Sequence, residues 1–477
     1  MSRLPKFKSL YTYSLTLLVM VAFNIEATAI GKIRCFFTQP VNTAVSKGVQ
    51  AQYLNNCMGD TIVAYINRSK YTLDIAVYNY TSTFPGIAAA VNSAFNRGVR
   101  VRWIYDSSSS NTGIPLLVSG VRRLVSPADG GDYSIMHNKF MVIDANSGNA
   151  ADAVVWTGSS NWNSQQFNDD YNNAVAIQDQ ALAKAYRAHF NMMWGDTGIA
   201  PNLSASKFGQ FKTDLGAHSF LIEGKLVELY FSPADGTNTK IQAAMNSANS
   251  DLYFSMSTFT SNSNATLLIS KSTSGVYVAG VNDPSITSAS PYTILTSGLG
   301  SNFKVHTGSG LYHHKFLIAD ASNKCSDPLV LTGSHNWTFS ADTKNDENTL
   351  IIHDDTAANI YYQAFHADFT ALGGTLMSIP DCTTGGSLLE QASFDMAVYP
   401  NPAVGSFFLK FQGQSPQFAD VQVYDLNGRR VADAVITLND LMGDHTLKVS
   451  NLKAGVYMIK IVNDAGVWNS LVTVLNQ

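Results

Sequence analysis

Residues Ser134 to Asp144 read SIMHNKFMVID, an apolar, strand-like run with a histidine and a lysine set into it. A second run, GLYHHKFLIAD from Gly310 to Asp320, repeats the arrangement. Imidazole and ammonium groups resist burial unless something pairs with them. On a strand, residues two apart project to one face, so His137 points with Lys139 and His313 with Lys315. A fixed cation beside a group that can attack, donate or accept a proton near neutral pH forms a site for a dianionic group. By the same parity Asp144 and Asp320 fall on the other side, or past the strand end, and read as structural.

Working outward, the surroundings of the two runs also match. LDIAVYNYTS near Leu73 answers LYFSMSTFTS near Leu252, and GVRVRWIYD from Gly98 answers GVYVAGVND from Gly275. TGSSNW from Thr157 answers TGSHNW from Thr332. Gly98 with Gly275, His137 with His313 and Thr157 with Thr332 are offset by 175–177 residues, so one domain-sized unit occurs twice. Between the first strand and the Gly-Val strand lies FPGIAAAVNSAFNRG, with Ile87, Val91 and Phe95 along one helical face. Strand–helix–strand alternation predicts an α/β layer structure in each copy. Ser159 and Asn161, with Ser334 and Asn336, add neutral donors from the end of the neighbouring strand. A single His-x-Lys is a common accident, in which the histidine is a satisfied core residue and the lysine snorkels. Two in register, each followed by Gly-Ser-x-Asn-Trp, are not.

The chain has 477 residues, 45% hydrophobic and 14% charged, with a net charge of -4. That composition belongs to a folded chain of two or three domains and advertises no nucleic-acid surface. MSRLPKFK followed by an apolar run from Leu10 to Phe23 and ending in ATA predicts a cleaved secretory signal over residues 1–29. Export makes the four cysteines disulfide candidates; Cys35 with Cys57 and Cys325 with Cys382 is the pairing by proximity. The sequence offers neither half a three-ligand metal cluster, and His313 and His314 face apart on a strand, so no catalytic metal or other cofactor is expected.

The paired H-x-K-x4-D motifs, each with a downstream G-S-x-N, resemble the phospholipase D superfamily over roughly residues 33–375. The resemblance implies two α/β lobes packed face to face, meeting at one metal-free phosphodiesterase site. It implies a catalytic set of His137, Lys139, Asp144, His313, Lys315, Asp320 and Glu347. Phosphate contacts would come from Lys139, Ser159, Asn161, Lys315, Ser334 and Asn336. One histidine would carry a covalent phosphohistidine while the other protonates the leaving alcohol. Family members usually place a carboxylate after G-S-x-N to orient the motif histidine; NDENTL puts Glu347 there, whereas DYNNAV puts Asn172 there. Taking Glu347 as the partner of His313 in its own half, the expected acid is His313 and the nucleophile His137. Trp162 and Trp337 are expected to pack the site wall.

From Met396 the character changes to short alternating runs such as DVQVYD and GVYMIKIV, divided by Asn427–Gly428 and Ala454–Gly455, which predicts a small all-β sandwich. VYPNPAVGSFFLKF, VQVYDLNGRRV and LKVSNLKAGVYMIKIV resemble the C-terminal sorting domain of type IX secretion cargo. The expected organisation is a signal over 1–29, a first lobe over 30–194, a connection over 195–225 and a second lobe over 226–380. A linker over 381–395 and the sorting domain over 396–477 complete it. The whole reads as a secreted or cell-surface phosphoric diester hydrolase without a membrane span in its mature form. It would act on phospholipid headgroups at a membrane, giving phosphatidic acid and free alcohol, with the type IX machinery as partner. A metal-independent nuclease of the same superfamily is the alternative.

Overall fold

In the computed structural model the described residues are 31–324, 326–377 and, with gaps, 395–475. The expected signal over 1–29 and most of the linker, with Cys325 and Cys382, lie outside them. In chain order the first lobe contributes β1 (Ile33–Phe37), β2 (Gln52–Tyr53), α1 (Met58–Asn67), β3 (Thr72–Val77), α2 (Gly86–Asn96), β4 (Arg100–Tyr105) and β5 (Arg122–Val125). It continues with β6 (Lys139–Ile143), β7 (Val154–Gly158), α3 (Ser164–Asn168), β8 (Asn173–Ile177) and α4 (Gln180–Trp194). The second lobe repeats this as β9 (Ser219–Ile222), β10 (Lys225–Ser232), α5 (Thr237–Ser247), β11 (Asp251–Met256), α6 (Asn262–Thr273) and β12 (Tyr277–Asn282). Its remaining elements are α7 (Ser290–Leu299), β13 (Phe303–Val305), β14 (Lys315–Ala319), β15 (Leu329–Gly333), α8 (Phe339–Thr343), β16 (Glu347–His353) and α9 (Asp355–Ala371).

Each lobe is built on a mixed eight-stranded sheet, ordered β2-β1-β8-β7-β6-β3-β4-β5 and β9-β10-β16-β15-β14-β11-β12-β13. The two orders correspond strand for strand. Strands β9 and β10 fall partly within the range expected for the connection, because Phe220 and Ile222 bury against the core and draw that segment into the second sheet. The strand runs are almost continuously apolar because both sheet faces are covered. One face of the first sheet packs under α1 and α2, where Ile87 and Val91 are fully buried. The corresponding face of the second packs under α5, α6 and α7. The other faces share one central core, with Phe140, Tyr186 and Phe190 from the first lobe against Phe231, Phe316 and Tyr361 from the second.

Two buried asparagines stitch the lobes reciprocally. Asn173 at the start of β8 donates to Thr332 Oγ1 (2.6 Å) and Tyr361 OH (3.1 Å). Asn348 in β16 donates to Thr157 Oγ1 (2.8 Å) and Tyr186 OH (3.0 Å). Cys35 is a free, buried thiol of the central core and Cys57 a free, exposed one ahead of α1, so the expected pairing of the two does not form. Burial and apolar packing, not a covalent link, hold β1 in place. After residue 377 the described strands, from Asp395–Val404 to Gly466–Leu475, make one seven-stranded sheet around Phe407, Leu409, Ile459 and Val472, all-β as the sequence predicts. No helix among the described residues is long and apolar enough to cross a membrane.

Candidate active site

The His-x-Lys segments enter their strands from the same side. His137 lies two residues before β6, which begins at Lys139, and His313 two residues before β14, which begins at Lys315. The strands are therefore shorter than the apolar runs suggested, and both histidines sit where the backbone pairs across the lobes instead. His137 N donates to Asp346 O (3.0 Å), while His313 N donates to Tyr171 O (3.0 Å). Each lysine folds back on its own motif: Lys139 Nζ reaches His137 O at 2.8 Å and Lys315 Nζ reaches His313 O at 3.0 Å. Lys139 also lies over the Tyr78 ring, 5.3 Å from its centroid.

These crossed ladders exchange the partners of the two imidazoles. Nδ1 of His137 meets both carboxylate oxygens of Glu347 from the opposite lobe, at 2.9 Å each. Nδ1 of His313 meets Asn172 Oδ1 from the opposite lobe, also at 2.9 Å. The expectation that Glu347 serves His313 is overturned, because the orienting group follows the facing strand and not the nearest motif. Asn172, the amide standing where family members usually place a carboxylate, is the partner of His313. Its Nδ2 donates to Gln166 O and Ser159 Oγ donates to its Oδ1, which fixes the amide so that Oδ1 faces the ring. In both pairs the partner oxygen accepts, so Nδ1 carries hydrogen and Nε2 carries the lone pair in the neutral ring.

The electrostatics follow from burying four basic groups around one carboxylate. Burial lowers His137 despite Glu347. Burial, then Lys315, Lys139 and His137, hold His313 well below its usual value. Lys139 is pulled down to about 7 by burial, and Lys315 falls well below the ordinary lysine range through burial and the charge of Lys139. Burial opposes ionisation of Glu347 too, yet His137 and Lys139 keep its carboxyl below the usual range. Each motif group feels charges from the other lobe, so both motifs share one electrostatic field, in which basic groups outnumber the Glu347 carboxylate.

Two stretches, residues 62–194 and 241–369, match the family described as "Cardiolipin synthase, PLD-like domain", and together they make up more than half of the chain. The chain belongs to the phospholipase D-like family. Residues 397–474 match the secretion system C-terminal sorting domain, the type IX tail. Among curated proteins, a mitochondrial cardiolipin hydrolase of Xenopus tropicalis is 33% identical over 132 residues, 27% of this chain and 56% of that protein. One from Drosophila melanogaster is 29% identical over 150 residues, 28% and 57% of the two chains. The chain thus spans just over half the length of these relatives. Among solved structures, a phosphatidylserine synthase from Haemophilus influenzae superposes with a TM-score of 0.50 at 13% identity, over 72% of this chain and 88% of that one, which shows a shared fold.

Within this phospholipase D-like site, several expected residues stand elsewhere. Asp144 and Asp320 follow the far ends of β6 and β14, so each is separated from its histidine by the whole five-residue strand, about 16 Å at 3.3 Å per residue. Asp144 accepts from the backbone N–H groups of Lys70, Tyr71 and Thr72, and Asp320 from those of Asn249, Ser250 and Asp251. They are structural clamps, as strand parity indicated, and leave the catalytic set. Ser159 and Ser334 leave the phosphate-contacting set. The Ser334 hydroxyl donates to Glu347 Oε2 (2.6 Å) as that of Ser159 does to Asn172, and each serine oxygen accepts a backbone N–H from the neighbouring strand. Asn161 Oδ1 is buried without a partner, and Asn336 Oδ1 takes only a long bond (3.3 Å) from Thr258 N. Trp162 and Trp337 are 1% exposed and pack into the lobe cores, against Trp103 and Phe259 respectively, not on the site wall.

Sequence reasoning missed His335, the variable residue of G-S-H-N, which is 3% exposed and has no hydrogen-bond partner on either ring nitrogen. Burial holds its imidazole below the usual value, opposed in part by the charges of Glu347 and Asp342. The signal was available: Ser160 occupies this position in the other lobe. The expectation of no three-ligand cluster also needs amending. Asp214, His218 and Asp235 converge with donor atoms within 4.8 Å of one another, among residues of the connection and of β10's far end. Both His218 nitrogens already have oxygen partners, Leu229 O and Asp214 Oδ1, and the cluster contains none of the motif residues.

Proposed function

We propose that this chain is an exported phospholipase D-type hydrolase that cleaves phospholipid headgroup diesters through a phosphohistidine on His137. The observation that carries the reading is the unequal partnering of the two imidazoles, a carboxylate on His137 and a neutral amide on His313. When Nε2 of His137 attacks phosphorus, the ring becomes a cationic N-phosphorylimidazolium, which the adjacent Glu347 carboxylate stabilises. As the P–O bond breaks, its electron pair goes to the alcohol oxygen, which takes a proton from Nε2 of His313. An imidazolium held by an amide among lysines gives up that proton readily. His313, now neutral, accepts a proton from water as water attacks phosphorus. The P–N bond breaks, its electrons return to His137, and phosphatidic acid leaves. Lys139, Lys315, Asn161 and Asn336 hold the non-bridging oxygens. The roles expected from the sequence are kept, on the opposite premise about Glu347.

A phospholipid substrate is supported by the names of the curated relatives, by a sorting tail that implies export, and by a net charge without the basic excess a duplex demands. Headgroup release from phosphatidylcholine, phosphatidylglycerol and cardiolipin vesicles, assayed beside single-stranded DNA degradation with chelator present, tests it. Turnover of DNA alone would replace the lipid reading with the nuclease reading. The assignment of roles has its own test. A p-nitrophenyl phosphodiester needs no acid for its leaving group, so His313→Ala should trap phosphate on His137, found by peptide mass spectrometry. Phosphate on His313 in His137→Ala would reverse the roles.

A further inference from the structure

The segment between α4 and β9 carries a buried cation that the mechanism does not use. Lys212 and Asp346 have side chains 0% exposed and pair at 2.6 Å. Lys212 Nζ also donates to Ser232 O at 2.6 Å and faces His189 Nε2 at 3.1 Å. Asp346 Oδ1 takes a further bond from Gly209 N of the same connecting segment (2.9 Å). Asp346 is the residue through which the His137 ladder runs: its carbonyl accepts from His137 N, and its own N–H donates to Ile135 O (2.9 Å). The next residue is Glu347. The corresponding position on the other ladder is Tyr171, whose ring packs on His306 and Tyr312. The pinned ladder is thus the one that carries the carboxylate-paired histidine, and Lys212 lies outside both stretches that match the family.

We infer that Lys212 is a positioning residue for phosphoryl transfer. It anchors Asp346 from the connecting segment, and so sets the register between His137 and Glu347. A buried ion pair contributes little net stability over an apolar pair of the same shape, but it fixes geometry, and removing one member leaves an uncompensated charge. The inference rests on Glu347 orienting His137 as the nucleophile. The charged groups around the pair are few. Asp346 faces Lys212, Glu347 and Tyr133; Lys212 faces His189 and Asp235; Glu347 faces His137, Lys139, Lys315 and His335. Without Lys212 the Asp346 charge would act on Glu347 unscreened and make its carboxyl harder to ionise.

The test uses the full chain and bis-p-nitrophenyl phosphate, a diester that does not presuppose a lipid. Lys212→Met should lower kcat roughly tenfold with KM within about threefold, and move the acid limb of the pH profile upward by about one unit. Lys212→Met with Asp346→Asn carries no uncompensated buried charge and so guards against misfolding. It should return the acid limb to the wild-type position while kcat stays depressed, because the anchor is still missing. A double variant with wild-type kcat, or a single variant with a lowered Tm but an unmoved kcat and pH profile, overturns the inference. A wild-type chain inert toward this diester removes instead the reading of the site itself.

Discussion

At the scale of single residues, the site is decided by which oxygen faces which Nδ1. Glu347→Gln keeps a hydrogen-bond acceptor beside His137 but removes the charge that offsets the phosphorylated ring. By comparison with the carboxylate–imidazole pair of a serine-protease triad, kcat should fall by roughly two to four orders of magnitude, read with KM in steady-state kinetics. Asn172→Asp does the reverse to His313. A carboxylate there raises the imidazolium pKa and makes a weaker acid, so alkyl leaving groups should slow about tenfold or more while p-nitrophenol is spared. Equal losses on both leaving groups would contradict the acid role. The depressed basic groups also predict a proton-linked anion affinity. Sulfate entering the site raises Lys139 from about 7 and lifts both imidazoles, so the complex holds more protons than the free protein. Binding should strengthen as pH falls through 7, with proton uptake visible by calorimetry in buffers of different ionisation enthalpy. The two His-x-Lys pairs were legible in the sequence because their chemistry clashes with their apolar setting. The partner of each was not, because Glu347 is near His313 along the chain and meets His137 only once the lobes face each other.

At the scale of elements, the motif is a strand with a device at each end. One end delivers the histidine and lysine, and the other turns through an aspartate at positive φ, 49° at Asp144 and 55° at Asp320. Asp144→Ala would strand three backbone N–H groups, destabilising the fold by about 2–4 kcal/mol if each is worth about 1 kcal/mol. A denaturant titration should show that loss, with kcat per folded molecule unchanged; a selective loss of kcat would return Asp144 to the catalytic set. The glycine of G-S-x-N has a comparable structural origin. A Cβ at Gly158 or Gly333 would lie 2.2 Å from the carbonyl of Asn173 or Asn348, so only glycine lets the two strands close far enough to bring serine under its partner. Period-two parity found the aspartates' outward position from sequence alone. It misjudged the strand length, because the backbone ahead of Lys139 and Lys315 leaves its own sheet and pairs with the opposite lobe, at Asp346 and Tyr171.

At the scale of the molecule, the lobes are not independent bodies joined by a tether. They share the central core and the reciprocal contacts of Asn173 and Asn348, and each completes the other's histidine. A half-chain comprising residues 31–200 should be inert toward any phosphodiester and prone to associate, having lost the cover over Phe140 and Tyr186. Co-expression with residues 201–380 should restore turnover, and activity in either half alone would sink the shared site. The doubled fold was visible as a fixed offset along the sequence, and the sorting tail as a change of residue pattern. The crossing of the lobes was not, since no local pattern states which face meets which.

The crossing has an evolutionary corollary. Two identical copies of one lobe, associating about a twofold axis, would be obliged to give both imidazoles the same companion, acid with acid or amide with amide. Covalent fusion lifts that obligation: the halves can mutate separately, and with a carboxylate at position 347 and an amide at position 172 the two rings are free to take the unequal roles proposed above.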